Sequence, residues 1–211
     1  MDILLTDEEV RVLGCLMEKE MATPDYYPLT LNALISACNQ KSNRFPVVSY
    51  DERTVRYALN GLIERKLVRQ SNLSRVAKYE QIFTQGLQLV AREQAILCIL
   101  SVRGPQTIGE IRSRTERLYS FSSLDEVQET ITSLEDMQMV SKLVRQPGHK
   151  ESRYAHILSG IPQEPITDSA SRPDVATMID RKGELQEQID ELRREMQGLQ
   201  EEFARFKAQF D

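Results

Sequence analysis

The chain has 211 residues, of which 40% are hydrophobic and 28% charged, a composition that fits one or two globular domains and excludes wholesale disorder or a fibrous repeat. The formal net charge of −5 is unevenly placed: residues 1–83 hold 11 Lys/Arg and 11 Asp/Glu, residues 84–160 hold 9 and 9, and residues 161–211 hold 7 and 12. The acidity therefore belongs to the C-terminal segment and says little about the surface of the body, and no apolar run approaches the ~20 residues that span a bilayer.

In chain order, Thr6 with Glu9 forms a Thr-x-x-Glu capping box and starts a first helix. Val10, Leu13, Leu16 and Met17 recur along it at three- and four-residue spacing, which predicts a buried stripe. A second helix follows Pro28-Leu29-Thr30. A third, with Ser49 and Glu52 as cap candidates, carries Val55, Leu59, Leu62 and Ile63 on one face. Two β-prone runs, KLVRQ and AKYEQIF, flank the polar turn SNLSRV and read as a hairpin. The pattern then recurs. A helix from about Ala91 to Val102 stops at Gly104-Pro105, Thr107 with Glu110 caps the next, and Ser123 with Glu126 caps a helix built on Val127, Ile131 and Leu134. MVSKLVRQ and RYAHIL, around Pro147-Gly148-His149-Lys150, form the second hairpin.

This recurrence is an internal repeat. PLTLNALISACN at 28–39 matches PQTIGEIRSRTE at an offset of 77, and VRYALNGLIERKLV at 55–68 matches VQETITSLEDMQMV at an offset of 72. Five extra residues thus sit in the first copy, within NQKSNRFPVVSY. Three helices and a terminal hairpin predict a winged helix, a helix-turn-helix variant; a three-helix bundle with an unrelated hairpin is the alternative. The expected architecture is mainly α with small β-hairpin wings: two tandem winged-helix domains, at 1–83 and 84–159, then a flexible linker at 160–174 and a C-terminal coiled-coil helix at 175–211. The linker rests on the Pro-rich GIPQEPITDSASRPD. The coiled coil rests on Leu185, Ile189, Leu192, Met196, Leu199, Phe203 and Phe206, which alternate steps of four and three and form an a/d seam for homodimerisation. A single amphipathic helix folded back on the body is the alternative there.

The stretches VLGCLMEKE, TPDYYPLTLNALISACNQKSNR, AKYEQIF, RGPQTIGEIRSR and PGHKESRYAHILSG resemble the YceH-like family of uncharacterised bacterial proteins, over about residues 4–160. The resemblance implies a tandem winged-helix fold and no established activity.

Enzyme chemistry finds little purchase. His149 and His156 lie far in sequence from any Cys or paired carboxylate, and no HExxH, GxSxG, CxxC or Gly-rich phosphate loop occurs. Cys15, Cys38 and Cys98 read as small core residues of a cytoplasmic protein, and no cofactor or metal is expected. The N-terminus MDILLTDEEV lacks the features of a signal peptide.

Double-stranded DNA is the partner that the fold suggests, because such domains place helix three in the major groove and the wing on the backbone. In the first copy, Arg53, Arg56 and Asn60 lie on the polar face of helix three. The inserted loop adds Lys41 and Arg44, with Asn39, Gln40 and Asn43 as further donors, and the wing adds Arg75 and Lys78. The alternative is an ordinary solvated face. The second copy differs: Asp125, Glu126, Glu129, Glu135 and Asp136 make its third helix acidic, which suits a protein partner better than a polyanion. Two functions stand open, a dimeric transcription-regulator-like DNA binder and a protein-interaction scaffold without DNA binding. One contiguous positive face on Lys41, Arg44, Arg53 and Arg56 would favour the first; finding them dispersed, or already paired with Asp51, Glu52 and Glu64, would favour the second.

Overall fold

Short polar caps start most of the helices in the computed structural model, which describes residues 4–71, 76–145 and 151–160. α1 (Asp7–Ala22) opens on Thr6, whose hydroxyl accepts from the Glu9 N–H while the Glu9 carboxylate accepts from the Thr6 N–H at 2.9 Å. A 3-10 turn at Pro24–Tyr26 and the two-residue strand β1 (Leu29–Thr30) lead to α2 (Leu31–Cys38), capped by the Thr30 hydroxyl. α3 (Glu52–Glu64) begins later than Ser49 predicts. Its cap is Asp51, which accepts from the Thr54 N–H at 2.8 Å and the Thr54 hydroxyl at 2.6 Å. A carboxylate at this place also meets the positive end of the helix dipole, which an uncharged serine does not match.

β2 (Val68–Ser71) and β3 (Lys78–Gln81) pair antiparallel, and β1 joins the other edge of β3, so that Leu29 stands opposite Tyr79. The short α4 (Phe83–Gly86) leads on to α5 (Ala91–Arg103), α6 (Ile108–Thr115) and α7 (Leu124–Asp136). β4 (Val140–Lys142) and β5 (Tyr154–His156) then pair antiparallel. Gln106 and Tyr154 exchange both backbone hydrogen bonds, at 3.0 and 2.8 Å. They repeat the Leu29–Tyr79 pairing of the first half. The protein is thus mainly helical with small antiparallel sheets of two and three strands. No helix among the described residues is long and apolar enough to cross a membrane.

α1 and α5, the first helices of the two repeats, pack against each other and share one hydrophobic core. Burial goes beyond the predicted stripe: every residue from Glu9 to Met17, and from Ala95 to Val102, is buried. An amphipathic helix hides one face; these two are covered on opposite sides by their own repeat and by each other. The approach is close at Gly14, where a Cβ would come within 2.9 Å of Ser101 Cβ and of Val102 Cγ1. The Gly14 carbonyl accepts there from the Cys98 thiol at 3.6 Å.

Each first helix also holds its third helix through a buried carboxylate. Glu9 forms an ion pair with Arg65, and Gly61 leaves the space that Glu9 occupies. In the second repeat Glu93 accepts from the Val90 N–H at 3.0 Å and from the Ser133 hydroxyl at 2.8 Å. Ser133 stands 72 residues after Gly61, the repeat offset of this segment.

Gly14→Val should lower the unfolding free energy by about 2–3 kcal/mol, because the branched side chain overpacks the helix contact. Gly109→Ala, which meets nothing within 4 Å on α6, should be neutral or stabilising by up to ~1 kcal/mol. Urea denaturation of both variants checks the contrast. His156 gives a second test. Its Nδ1 is buried without a partner among the described residues, and burial lowers its pKa from 6.5 to about 4. The unfolded chain therefore takes up a proton that the folded chain refuses. Stability should fall as pH drops from 6.5 toward 4, by at most about 3 kcal/mol, and His156→Leu should flatten that slope.

Candidate nucleic-acid interface

α3 is amphipathic, and its buried side (Val55, Ala58, Leu59, Leu62) leaves an outer face to solvent. Arg53, Arg56 and Asn60 are exposed on that face and surround a shallow depression together with Glu52 and Tyr57. Tyr57 is 80% exposed, and its position in the middle of the predicted cationic residues was not singled out from sequence. Its spacing of one and three residues from Arg56 and Asn60 carried the signal. Arg56 and Glu52 form an i,i+4 pair at 2.7 Å with both side chains more than half exposed. Such a pair contributes only about 0.3–0.5 kcal/mol and readily exchanges its carboxylate for a phosphate. The Thr54 hydroxyl and N–H hold the Asp51 carboxyl below its usual range, so a negative charge persists beside Arg53.

The inserted loop is placed differently. Lys41 is exposed, but Arg44 is drawn inside, with its side chain 0% exposed. Its guanidinium donates to both oxygens of Glu18, at 3.0 and 2.6 Å, and to the Ala37 carbonyl at 3.1 Å. Burial raises the Glu18 pKa, yet the adjacent Arg44 guanidinium more than offsets this and holds the carboxyl below its usual range. Arg11, also buried, donates to the Pro46 carbonyl at 2.6 Å. The Asn39 side chain is likewise engaged, exchanging hydrogen bonds with the Tyr50 backbone at 2.8 and 2.7 Å. Lys41, Arg44, Arg53 and Arg56 therefore do not form one positive face. The loop's one arginine, Arg44, and its Asn39 are turned inward, where Arg44 anchors the loop on Glu18 of α1.

Lys78 lies half-buried on β3, opposite Thr30 and Ser71. Arg75 lies outside the described residues. So do His149 and Lys150, the linker at 160–174 apart from Gly160, and the whole predicted seam from Leu185 to Phe206. Arg69 on β2, unremarked in the sequence, pairs across the strands with Glu80 at 2.8 Å.

The equivalent face of α7 bears Asp125, Gln128, Glu129 and Thr132 where α3 has Arg53, Arg56, Tyr57 and Asn60. Asp125 and Glu129 are exposed, whereas Glu126 is taken up by Ser122 and the Tyr119 hydroxyl. On α6, Arg112 donates to the Phe121 and Ser122 carbonyls, and Arg114 pairs with Glu110 at 3.0 Å. Cys15, Cys38 and Cys98 are all buried, and burial pushes the Cys98 thiol up. Among the described residues, no group of three or more His, Cys, Asp or Glu could hold a metal ion.

A family model described as a protein of unknown function, DUF480, matches residues 5–149. A UPF0502 protein of Solibacter usitatus is 47% identical over 207 residues, covering 96% of this chain and all of the relative. UPF0502 proteins of Pelobacter propionicus and Aeromonas hydrophila are 44% and 42% identical, covering 100% and 98% of this chain and all of each relative. The chain belongs to this DUF480 (UPF0502) family, whose names state no activity.

The division of labour among the arginines is testable. Arg44→Met strands the Glu18 carboxylate and should cost about 3 kcal/mol, whereas Arg53→Ala should change stability by less than ~0.5 kcal/mol. Guanidinium denaturation of each variant measures both.

Proposed function

We propose that this family member is a tandem winged-helix protein that binds duplex DNA through α3 of its first repeat, as a dimeric transcription-regulator-like protein. Residues 1–83 and 84–159 are read as the two winged helices, with β2–β3 and β4–β5 as their wings. The observation that carries the reading is the outer face of α3. It gathers Arg53, Arg56, Tyr57 and Asn60 in the open, on the helix that such folds lay in the major groove, and the core uses none of them. Arginine and asparagine reach base edges and phosphates; a tyrosine hydroxyl reaches phosphate or sugar. Arg44 is buried on Glu18 and Arg56 is paired with Glu52, so the single positive face expected of Lys41, Arg44, Arg53 and Arg56 is not formed, which weighs toward the scaffold reading; the DNA reading rests on α3, Lys41 and the wing alone.

The acidic outer face of α7 favours a second reading for the second repeat: it contacts a protein carrying basic groups. If no DNA is bound, this face and the C-terminal heptads make the chain a scaffold.

DNA anisotropy across a salt series tests the proposal. Replacing Arg53 and Arg56 together by Ala should weaken binding and reduce the slope of log K against log salt by about 2, one per lost phosphate contact. Unchanged affinity would remove α3 from the interface. Leu192→Asp in the full chain should convert a dimer into a monomer by light scattering and cost it the affinity gained from two sites; a dimer that persists would place the subunit contact elsewhere.

A further inference from the structure

A second cationic site lies apart from α3 and shares no residue with its depression. Where the inserted loop of the first repeat meets the end of α5, α6 and the start of β5, the surface folds into a cleft of about 380 Å³. The loop is fastened there by the Phe45 N–H, which donates to the Val102 carbonyl at 2.9 Å. Phe45 also packs on Gly104, whose φ of +68° and lack of a Cβ both admit the ring. The second repeat's own α6–α7 connection lacks the five inserted residues.

Four arginines, Arg44, Arg103, Arg114 and Arg153, are among the residues lining the cleft, with Glu110 as the one acidic residue, although the Arg44 side chain is itself fully buried. Two of these charges are already balanced: Arg114 by Glu110 at 3.0 Å, and Arg44 by Glu18 at 2.6 Å. Arg103 and Arg153 have no ion-pair partner among the described residues, so two positive charges remain uncompensated. Among the described residues, Arg103 Nε is buried with no acceptor, and Gln106 Oε1, in a residue 3% exposed, is buried with no donor. Burial, and after it the like charge of Arg114, lower the Arg103 pKa. Folded proteins seldom leave buried donors and acceptors unpaired or gather arginines in a hollow, and guanidinium forks match phosphate oxygens.

We infer that this cleft binds a small phosphorylated metabolite carrying a hydroxyl group. A phosphate monoester dianion balances the two free charges of Arg103 and Arg153. A neighbouring hydroxyl donates to Gln106 Oε1. The hollow shape and a volume within the range of small-molecule pockets fit a compact ligand better than the backbone of a duplex.

Calorimetric titration of the full chain with ribose 5-phosphate, inorganic phosphate and ribose tests the inference. Ribose 5-phosphate should bind saturably, one per chain, inorganic phosphate more weakly, and ribose not detectably. Arg103→Met should weaken ribose 5-phosphate binding at least tenfold, and so should Arg153→Met at an exposed position that the core does not need. The variant with Arg53 and Arg56 replaced by Ala should bind it unchanged, which separates this site from the DNA reading. No saturable binding by either phosphate probe, or binding that survives both Arg103→Met and Arg153→Met, would overturn the inference. So would loss of duplex affinity in those variants without any binding of the small probes, since the cleft would then be a backbone contact.

Discussion

The packing of α1 on α5 is the constraint from which the rest of the architecture follows. Each helix is buried around its circumference over eight or nine residues, so neither repeat can bury its own first helix alone. Gly14 brings the two backbones close enough for the two halves to share one core. Glu9 and Glu93 then carry that order outward: each cap carboxylate reaches across to the third helix of its repeat, through Arg65 in one and Ser133 in the other. With their inner faces committed to the core, α3 and α7 present outer faces that are free of packing duties and have diverged.

That divergence is chemical rather than architectural. The same positions bear Arg53, Arg56, Tyr57 and Asn60 on α3 and Asp125, Gln128, Glu129 and Thr132 on α7, so the cationic side chains of one face are replaced by acidic and neutral ones on the other. The inserted loop breaks the symmetry further. Arg11 and Arg44 spend their charge inside, pinning the loop to α1, and the loop in turn closes the arginine-lined cleft against the second repeat. Cations on this chain therefore occupy three distinct settings: buried anchors, an exposed helix face, and the lining of a concave cleft.

How much was legible in the sequence depended on how local the physics was. The Thr6–Glu9 and Thr107–Glu110 boxes, the stop at Gly104 and the hairpins β2–β3 and β4–β5 are set by neighbours within a few residues, or by a repeat that doubles the signal, whereas the pairings of Leu29 with Tyr79 and of Gln106 with Tyr154 join distant segments and went unread. The α3 start was missed by two residues because Ser49, Asp51 and Glu52 all resemble caps, and only geometry chooses Asp51. Arg44 was assigned to the surface because nothing within its loop reveals Glu18, 26 residues earlier, waiting beneath it. The cleft drew no notice for the same reason: Arg44, Arg103, Arg114 and Arg153 are scattered over more than half the chain and meet only in the fold.

The central claim is that α3 faces DNA and α7 does not. Backbone amide chemical-shift mapping of the isotopically labelled full chain against a short mixed-sequence duplex tests it at residue level. The account predicts perturbations centred on Arg53, Arg56, Tyr57 and Asn60, diminishing as salt is raised, with Asp125 and Glu129 unmoved. Perturbations centred on α7, or none at all at low salt, would contradict it.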